Sequence, residues 1–141
     1  MAKYSTEGEF EMSADSLWGV VRDFGDVGWL PGRKTTYTSE GEGVGMIRTI
    51  RTGPLPTVRE QLHEIDEKNR LIRYAVIEGN PMPVRDYVGT MQAIDLGGER
   101  SRLVWSSTWE PDGISEEDAT KAVHGLYAGV LAVMKANLEQ R

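Results

Sequence analysis

The 141-residue chain contains no cysteine, two histidines, two phenylalanines and six prolines. Without thiols there can be no disulfide, no thiolate catalysis and no cysteine-ligated metal. His63 and His124 stand on different predicted elements, the first on the outer face of a strand and the second on the polar side of a helix. They offer no metal-ligand spacing and neither is placed to act as a general base, so no metal is expected. No Gly-x-Ser-x-Gly elbow occurs. No apolar run approaches the roughly 18 residues of a membrane helix, so membrane insertion is not expected. The N-terminal stretch, with Lys3, Glu7 and Glu9, lacks the apolar h-region of a secretory signal, which points to a cytoplasmic protein. The net charge of -6 argues against nucleic acid or an anionic membrane as the main partner. Gly41-Glu-Gly43-Val-Gly45 is half of a dinucleotide fingerprint, but a strand pattern follows it rather than a helix. Asp66-Glu-Lys-Asn69 lacks the alternating oxygen ligands of a calcium loop. No cofactor is expected.

What remains is a globular pattern, 27% charged and 39% hydrophobic, read as a single domain over residues 1–141. Residues 115–140 carry no proline and no turn signal. Ala119, Ala122, Val123, Leu126, Tyr127, Val130, Val133, Met134 and Leu138 recur at steps of three and four, with Asn137 the one polar interruption. This is one long amphipathic helix, capped by Ser115 and begun by three acids at its positive end. Ala122, Gly125, Gly129, Ala132 and Ala136 line one edge of its stripe, which is expected to pack closely on a sheet or ligand without filling the space beneath.

Before the helix the reading is mostly strand. Tyr4–Met12 forms the first, and Ser13 caps a short helix that buries Leu17, Trp18 and Val21. A second short helical turn is expected within 24–32. Strands then follow over 33–39, 46–51, 57–65, 71–78, 84–94 and 101–110, joined by glycine- and proline-rich turns. The predicted fold class is α+β: a seven-stranded curved antiparallel sheet, two short helices after the first strand, and a long C-terminal helix held in the concave side.

Alternation chooses the faces. Met46, Arg48 and Ile50 share one side of their strand, and Val58, Glu60 and Leu62 share one side of the next. Counting outward from Pro54 sets Ile50 opposite Val58, Arg48 opposite Glu60 and Met46 opposite Leu62. An inward Arg48–Glu60 ion pair is expected between two apolar pairs. The competing register, slipped by one residue, turns every side chain over. Tyr74, Val76, Tyr87, Gly89, Met91, Leu103, Trp105 and Trp109 also point inward. A mostly apolar chamber with phenols, indoles and one charged pair has the composition of a small-molecule site.

The residues Gly45-x-x-Arg48, Val58-Arg-Glu60-Gln-Leu62-x-Glu-Ile-Asp66, Tyr74-x-Val, Tyr87-x-Gly-Thr, Trp105 and Glu110-Pro-Asp-Gly113 resemble the START-like superfamily, and within it the polyketide cyclase/dehydrase-like (SRPBCC) branch. The resemblance covers essentially the whole chain. It implies a helix-grip (START/Bet v 1-like) fold around a deep hydrophobic cavity. The plant abscisic-acid receptors are similar relatives whose cavity is gated by two loops. Thr52-Gly-Pro-Leu-Pro-Thr57 resembles their gate with one extra residue. Gly79-Asn-Pro-Met-Pro83 stands in place of their latch, without its His-Arg-Leu sequence. Glu60, Tyr87 and Tyr127 fall where those receptors place cavity residues, with Tyr127 replacing a smaller polar one.

The expected ligand-binding set is Met46, Arg48, Leu55, Glu60, Leu62, Tyr74, Met82, Tyr87, Gly89, Trp105, Trp109, Val123 and Tyr127, and the expected partner is a small hydrophobic or aromatic molecule, polyketide- or lipid-like. The alternative is an enzyme of the cyclase, aromatase or dehydratase kind. Arg48 would then stabilise an enolate or anchor a carboxylate, Glu60 act as base, and Tyr87 or Tyr74 donate a proton. A third reading is a role exercised through protein contact. The gate region, with Pro54, Leu55, Pro56, Met82 and Pro83, is apolar for a surface and suits a lid, a partner contact or a homodimer seam.

Overall fold

Seven runs of alternating burial pair into one antiparallel sheet in the computed structural model, which describes residues 2–29 and 35–139. The elements are β1 (Ala2–Phe10), α1 (Ala14–Arg22), β2 (Thr35–Glu40), β3 (Ile47–Thr52), β4 (Val58–Asp66), β5 (Leu71–Glu78), β6 (Val84–Gly97), β7 (Arg100–Pro111) and α2 (Glu116–Glu139). The spatial order is β1-β7-β6-β5-β4-β3-β2, a meander whose last strand returns to the first. The fold is the expected helix-grip arrangement with one short helix.

The second short helix is absent among the described residues. Phe24 donates to the Arg22 carbonyl, Asp26 to the Asp23 carbonyl, and Gly28 to Asp26 Oδ1, so the chain passes through successive tight turns. Side-chain capture of a backbone N–H by Asp26 competes with helical pairing, and Gly25 and Gly28 weaken it further. Leu30, Pro31, Gly32 and Arg33, also assigned to this stretch and the next strand, lie outside the described residues.

α1 starts as its sequence indicates. Ser13 is the N-cap and accepts from Ser16 N at 3.1 Å, and Leu17, Trp18 and Val21 are buried. α2 is capped by Ser115, whose Oγ accepts from Asp118 N at 3.1 Å. Ala119, Val123, Tyr127, Met134 and Leu138 are its buried face. The small-residue edge does not pack: Gly125, Gly129, Ala132 and Ala136 face solvent, and a Cβ at either glycine would meet nothing within 4 Å. Ala122, at the N-terminal end of that edge, is half-buried. Asn137, the polar interruption, donates through Nδ2 to the Trp29 carbonyl at 2.8 Å, tying α2 to the turn region.

α2 lies chiefly against β1, with a smaller contact on β7. Lys135 Nζ donates to the Glu9 carbonyl at 2.7 Å and Glu139 Oε1 accepts from Glu11 N at 3.0 Å, fixing the C-terminal half of the helix to β1. Neither helix makes a comparable contact with β3 or β4, so the concave face over these strands is left open. α1 closes the other part of the core, against β5, β6 and β7.

Two bulges decide what points into that space. In β6, Arg85 pairs with Glu110 and Val88 with Thr108, so Asp86 and Tyr87 together oppose one residue, Trp109. Asp86 takes φ +56° to make the extra step. The side-chain phase shifts there, so that Val84 and Tyr87 are both buried where strict alternation would turn one of them out. In β4, His63 is the extra residue between Leu62↔Tyr74 and Glu64↔Arg73. Ile65 thereby joins the core side, which period-two reading assigns to Glu64.

Gly79 joins the two loops that flank the open side. Its φ is +65°, and a Cβ built on it would lie 2.0 Å from the Thr57 carbonyl oxygen. Replacement by alanine must displace backbone, and overpacking of this kind costs about 1–3 kcal/mol. Gly79→Ala is expected to lower the urea midpoint at constant m-value, while Gly125→Ala, in open space on a helix, raises it slightly.

Candidate functional site: an apolar cavity over a buried ion pair

The uncovered concave face holds a cavity of about 280 Å³. Arg48 and Ile50 of β3, Val58 and Glu60 of β4, Tyr74 and Val76 of β5, Tyr87 and Met91 of β6 and Trp105 of β7 form its floor. Leu126 and Val130 of α2 form one side, and Val27 and Trp29 come from the turn region. Leu55 and Pro56 of the β3–β4 loop and Asn80, Pro81 and Met82 of the β5–β6 loop stand at the rim. Leu55 is 53% exposed, so the mouth lies between these loops.

The register around the floor is the expected one: Arg48 opposes Glu60 and Ile50 opposes Val58. Arg48 Nε donates to Glu60 Oε1 at 2.7 Å, with the side chains 7% and 12% exposed. Removing two such charges from water costs several kcal/mol per ion. Two further contacts offset part of that cost. Arg48 Nη1 donates to the Phe24 carbonyl at 3.2 Å, and the guanidinium carbon sits 3.9 Å above the Phe24 ring. A desolvated cation–π contact of this type contributes about 2 kcal/mol. Phe24, at the foot of α1, thus sets the position of the arginine.

Beside the pair is a chain of phenols. Trp105 Nε1 donates to Tyr74 Oη at 3.0 Å, the Tyr74 and Tyr87 hydroxyls are 3.2 Å apart, and Tyr87 shares a short hydrogen bond with Tyr127. The Trp105 indole is stacked on Tyr127 at 3.6 Å and 6°. Burial pushes the Tyr74 phenol well above its ordinary value, with the charge of Tyr127 and of Glu60 adding to the effect. Burial, then the neighbouring phenols Tyr74 and Tyr127, do the same to Tyr87. Burial raises Tyr127 to about 12 against the opposing pull of the neighbouring Ser107 and Tyr87 hydroxyls. All three are therefore neutral hydroxyls at physiological pH.

Of the residues expected at the site, Arg48, Leu55, Glu60, Tyr74, Met82, Tyr87 and Trp105 stand on the cavity wall. Leu62, Trp109 and Val123 are enclosed in packed core, and Tyr127 lies behind Tyr87 and Trp105 rather than on the wall. Met46 lies just before β3, half-buried and turned toward Gly25. Gly89 is covered: a Cβ there would fall 2.5 Å from the Tyr74 ring. Its lack of a side chain lets the Tyr74 ring lie across β6 with its hydroxyl at Tyr87. Sequence reasoning omitted Val27 and Trp29, which come from an irregular segment, and Asn80 and Pro81, which lie in a loop. Ile50, Val58, Val76 and Met91 were already on the inward face, and their position along each strand marks them. His63 is exposed as expected. The exposed His124 meets Tyr4 through its Nδ1, away from the cavity wall. No group of three or more metal-ligating side chains occurs among the described residues. Nor is any helix among them long and apolar enough to cross a membrane.

A family model described as polyketide cyclase / dehydrase and lipid transport matches residues 1–139. A search of curated proteins found no match. Among solved structures, the protein XoxI from Bacillus cereus superposes with a TM-score of 0.83 at 27% identity, covering 99% of this chain and 98% of that one. A protein from Bacillus thuringiensis gives 0.83 at 27% identity over 96% and 97% of the two chains. Norcoclaurine synthase from Thalictrum flavum, solved with dopamine and hydroxybenzaldehyde, gives 0.75 at 25% identity, covering 99% of this chain and 84% of that one.

Two measurements check the phenol cluster. The unfolded chain ionises its tyrosines near pH 10, while the folded values of Tyr74, Tyr87 and Tyr127 are higher. Stability from these groups is complete below about pH 10 and is lost as pH rises toward and through the folded values. Alkaline titration should show phenolate absorbance from these three appearing together with unfolding. Gly89→Ala should cost about 1–3 kcal/mol and bring part of that absorbance to lower pH, because Tyr74 is displaced toward the cavity.

Proposed function

The chain belongs to the polyketide cyclase / dehydrase and lipid transport family, and from that premise we propose that it binds a small hydrophobic or aromatic molecule in the cavity between sheet and α2. The observation that carries this reading is the combination of about 280 Å³ of space, walls of Val, Ile, Met and aromatic side chains, and the Arg48–Glu60 ion pair at the floor. Small-molecule sites are concave and mostly apolar, with a few fixed polar groups that orient the ligand. Their usual volume is roughly 300–1,000 Å³. This cavity stands at the lower edge of that range, which suits one or two rings better than a long acyl chain.

A catalytic reading has one observation in its favour. Tyr74 and Tyr87, whose hydroxyls are bonded to one another, line the cavity with Arg48 and Glu60. A carbonyl compound held there has a cation able to stabilise a developing enolate, a carboxylate able to accept a proton, and neutral phenols able to donate one. In this reading Arg48, Glu60 and Tyr87 are the catalytic residues and the reaction is a cyclisation or dehydration. Norcoclaurine synthase, which shares the architecture, is an enzyme by name.

Native mass spectrometry of the purified protein is expected to retain a bound small molecule. Its return unaltered after incubation supports the carrier, and its conversion supports the enzyme. Removing one partner of the pair leaves an uncompensated buried charge and costs about 3–5 kcal/mol, so single variants confuse folding with binding. Replacing both, Arg48→Met with Glu60→Leu, should leave stability within about 2 kcal/mol of the parent while weakening ligand binding about tenfold or more. Full retention of affinity in that double variant would remove the pair from the ligand site.

A further inference from the structure

The ion pair at the cavity floor is only half used by the protein. Arg48 spends Nε on Glu60 Oε1 and Nη1 on the Phe24 carbonyl. Nη2 donates to no described residue, and Glu60 Oε2 accepts from none. Neither atom is among the fully enclosed unpartnered ones, and both residues line the cavity. The floor therefore offers an incoming molecule one strong donor and one strong acceptor side by side. Their formal charges cancel, and among the described residues the rest of the wall adds none.

We propose that this cavity selects electrically neutral aromatic compounds that bear a hydroxyl or carbonyl group, and discriminates against carboxylates and ammonium compounds of the same shape. The proposal rests on the reading of the cavity as a small-molecule site and names the class of ligand that site takes. The reason lies in electrostatics. An anionic ligand that reaches Arg48 Nη2 also meets the Glu60 carboxylate within the same contact, and a cationic ligand that reaches Glu60 Oε2 meets the guanidinium. Either ion gives up its hydration on entering an apolar chamber and receives only the field of a neutralised pair in return. A neutral hydroxyl or carbonyl loses far less on leaving water. It satisfies Nη2 as an acceptor or Oε2 as a donor, and such charge-assisted hydrogen bonds are the stronger kind. The phenols of Tyr74 and Tyr87 extend the same logic along the wall, since they can donate or accept without adding charge.

The test is isothermal titration calorimetry of the whole chain at neutral pH with three probes of one shape: naphthol, naphthoate and naphthylmethylammonium. Naphthol is expected to bind about tenfold or more tightly than either ion. Glu60→Gln removes the opposing charge and keeps the shape, so naphthoate should gain about tenfold in affinity over the parent and the preference for naphthol over naphthoate should shrink accordingly. Wild-type preference for either ion overturns the proposal without touching the small-molecule reading, as does a Glu60→Gln variant that folds by its thermal melt but gains nothing for naphthoate. Failure of all three probes to bind overturns the proposal together with the reading beneath it.

Discussion

The Arg48–Glu60 pair is the constraint on which the rest of the architecture depends. It favours the β3–β4 register, because a slip of one residue in either strand would carry one of the two charges to the outer face, away from its partner. It also fixes the turn after α1, since the guanidinium lies on the Phe24 ring and binds the Phe24 carbonyl. A pair so deeply set is costly unless its remaining hydrogen-bonding capacity is met. The open volume above it leaves that capacity available to a ligand.

The hollow itself has a simple origin. α2 is tied to β1 by contacts from Lys135 and Glu139, so its bulk rests over one end of the sheet. The strands at the other end curl away with only side chains and loops above them. Within this frame the bulge at Asp86 turns Tyr87 inward, and the absence of a side chain at Gly89 lets Tyr74 reach it. Trp105 stacked on Tyr127 then backs the phenols with a rigid wall. The phenol chain is therefore positioned by β-sheet irregularities, and the charge pair by the regular β3–β4 register and by Phe24 at the foot of α1.

Much of this was legible in the residues. Ser13 and Ser115 mark both helix starts, β5 begins and ends where alternation puts it, and the hairpin count from Pro54 sets Arg48 against Glu60. The departures share a cause: each depends on tertiary context that a period cannot carry. Period-two alternation gives no sign that His63 is an extra residue, so Ile65 and Glu64 exchange faces. The stripe on α2 has a definite centre but an uncertain edge, so Gly125 and Gly129 look like a packing surface and prove to be solvent-facing. Trp109 and Val123 are inward, as alternation requires, yet inward residues divide between packed core and cavity wall. That division depends on where α2 comes to rest. The role of Asn137 is invisible until Trp29 is placed beside it.

The central claim is a hollow interior above a buried charge pair, and high-resolution crystallography of the protein tests it most directly. The account predicts open or ligand-filled density of about 280 Å³ between the sheet and α2, with the guanidinium of Arg48 on Phe24 and the Glu60 carboxylate turned into the same space. Continuous side-chain density from sheet to helix, with Arg48 and Glu60 both directed to bulk solvent, would contradict it.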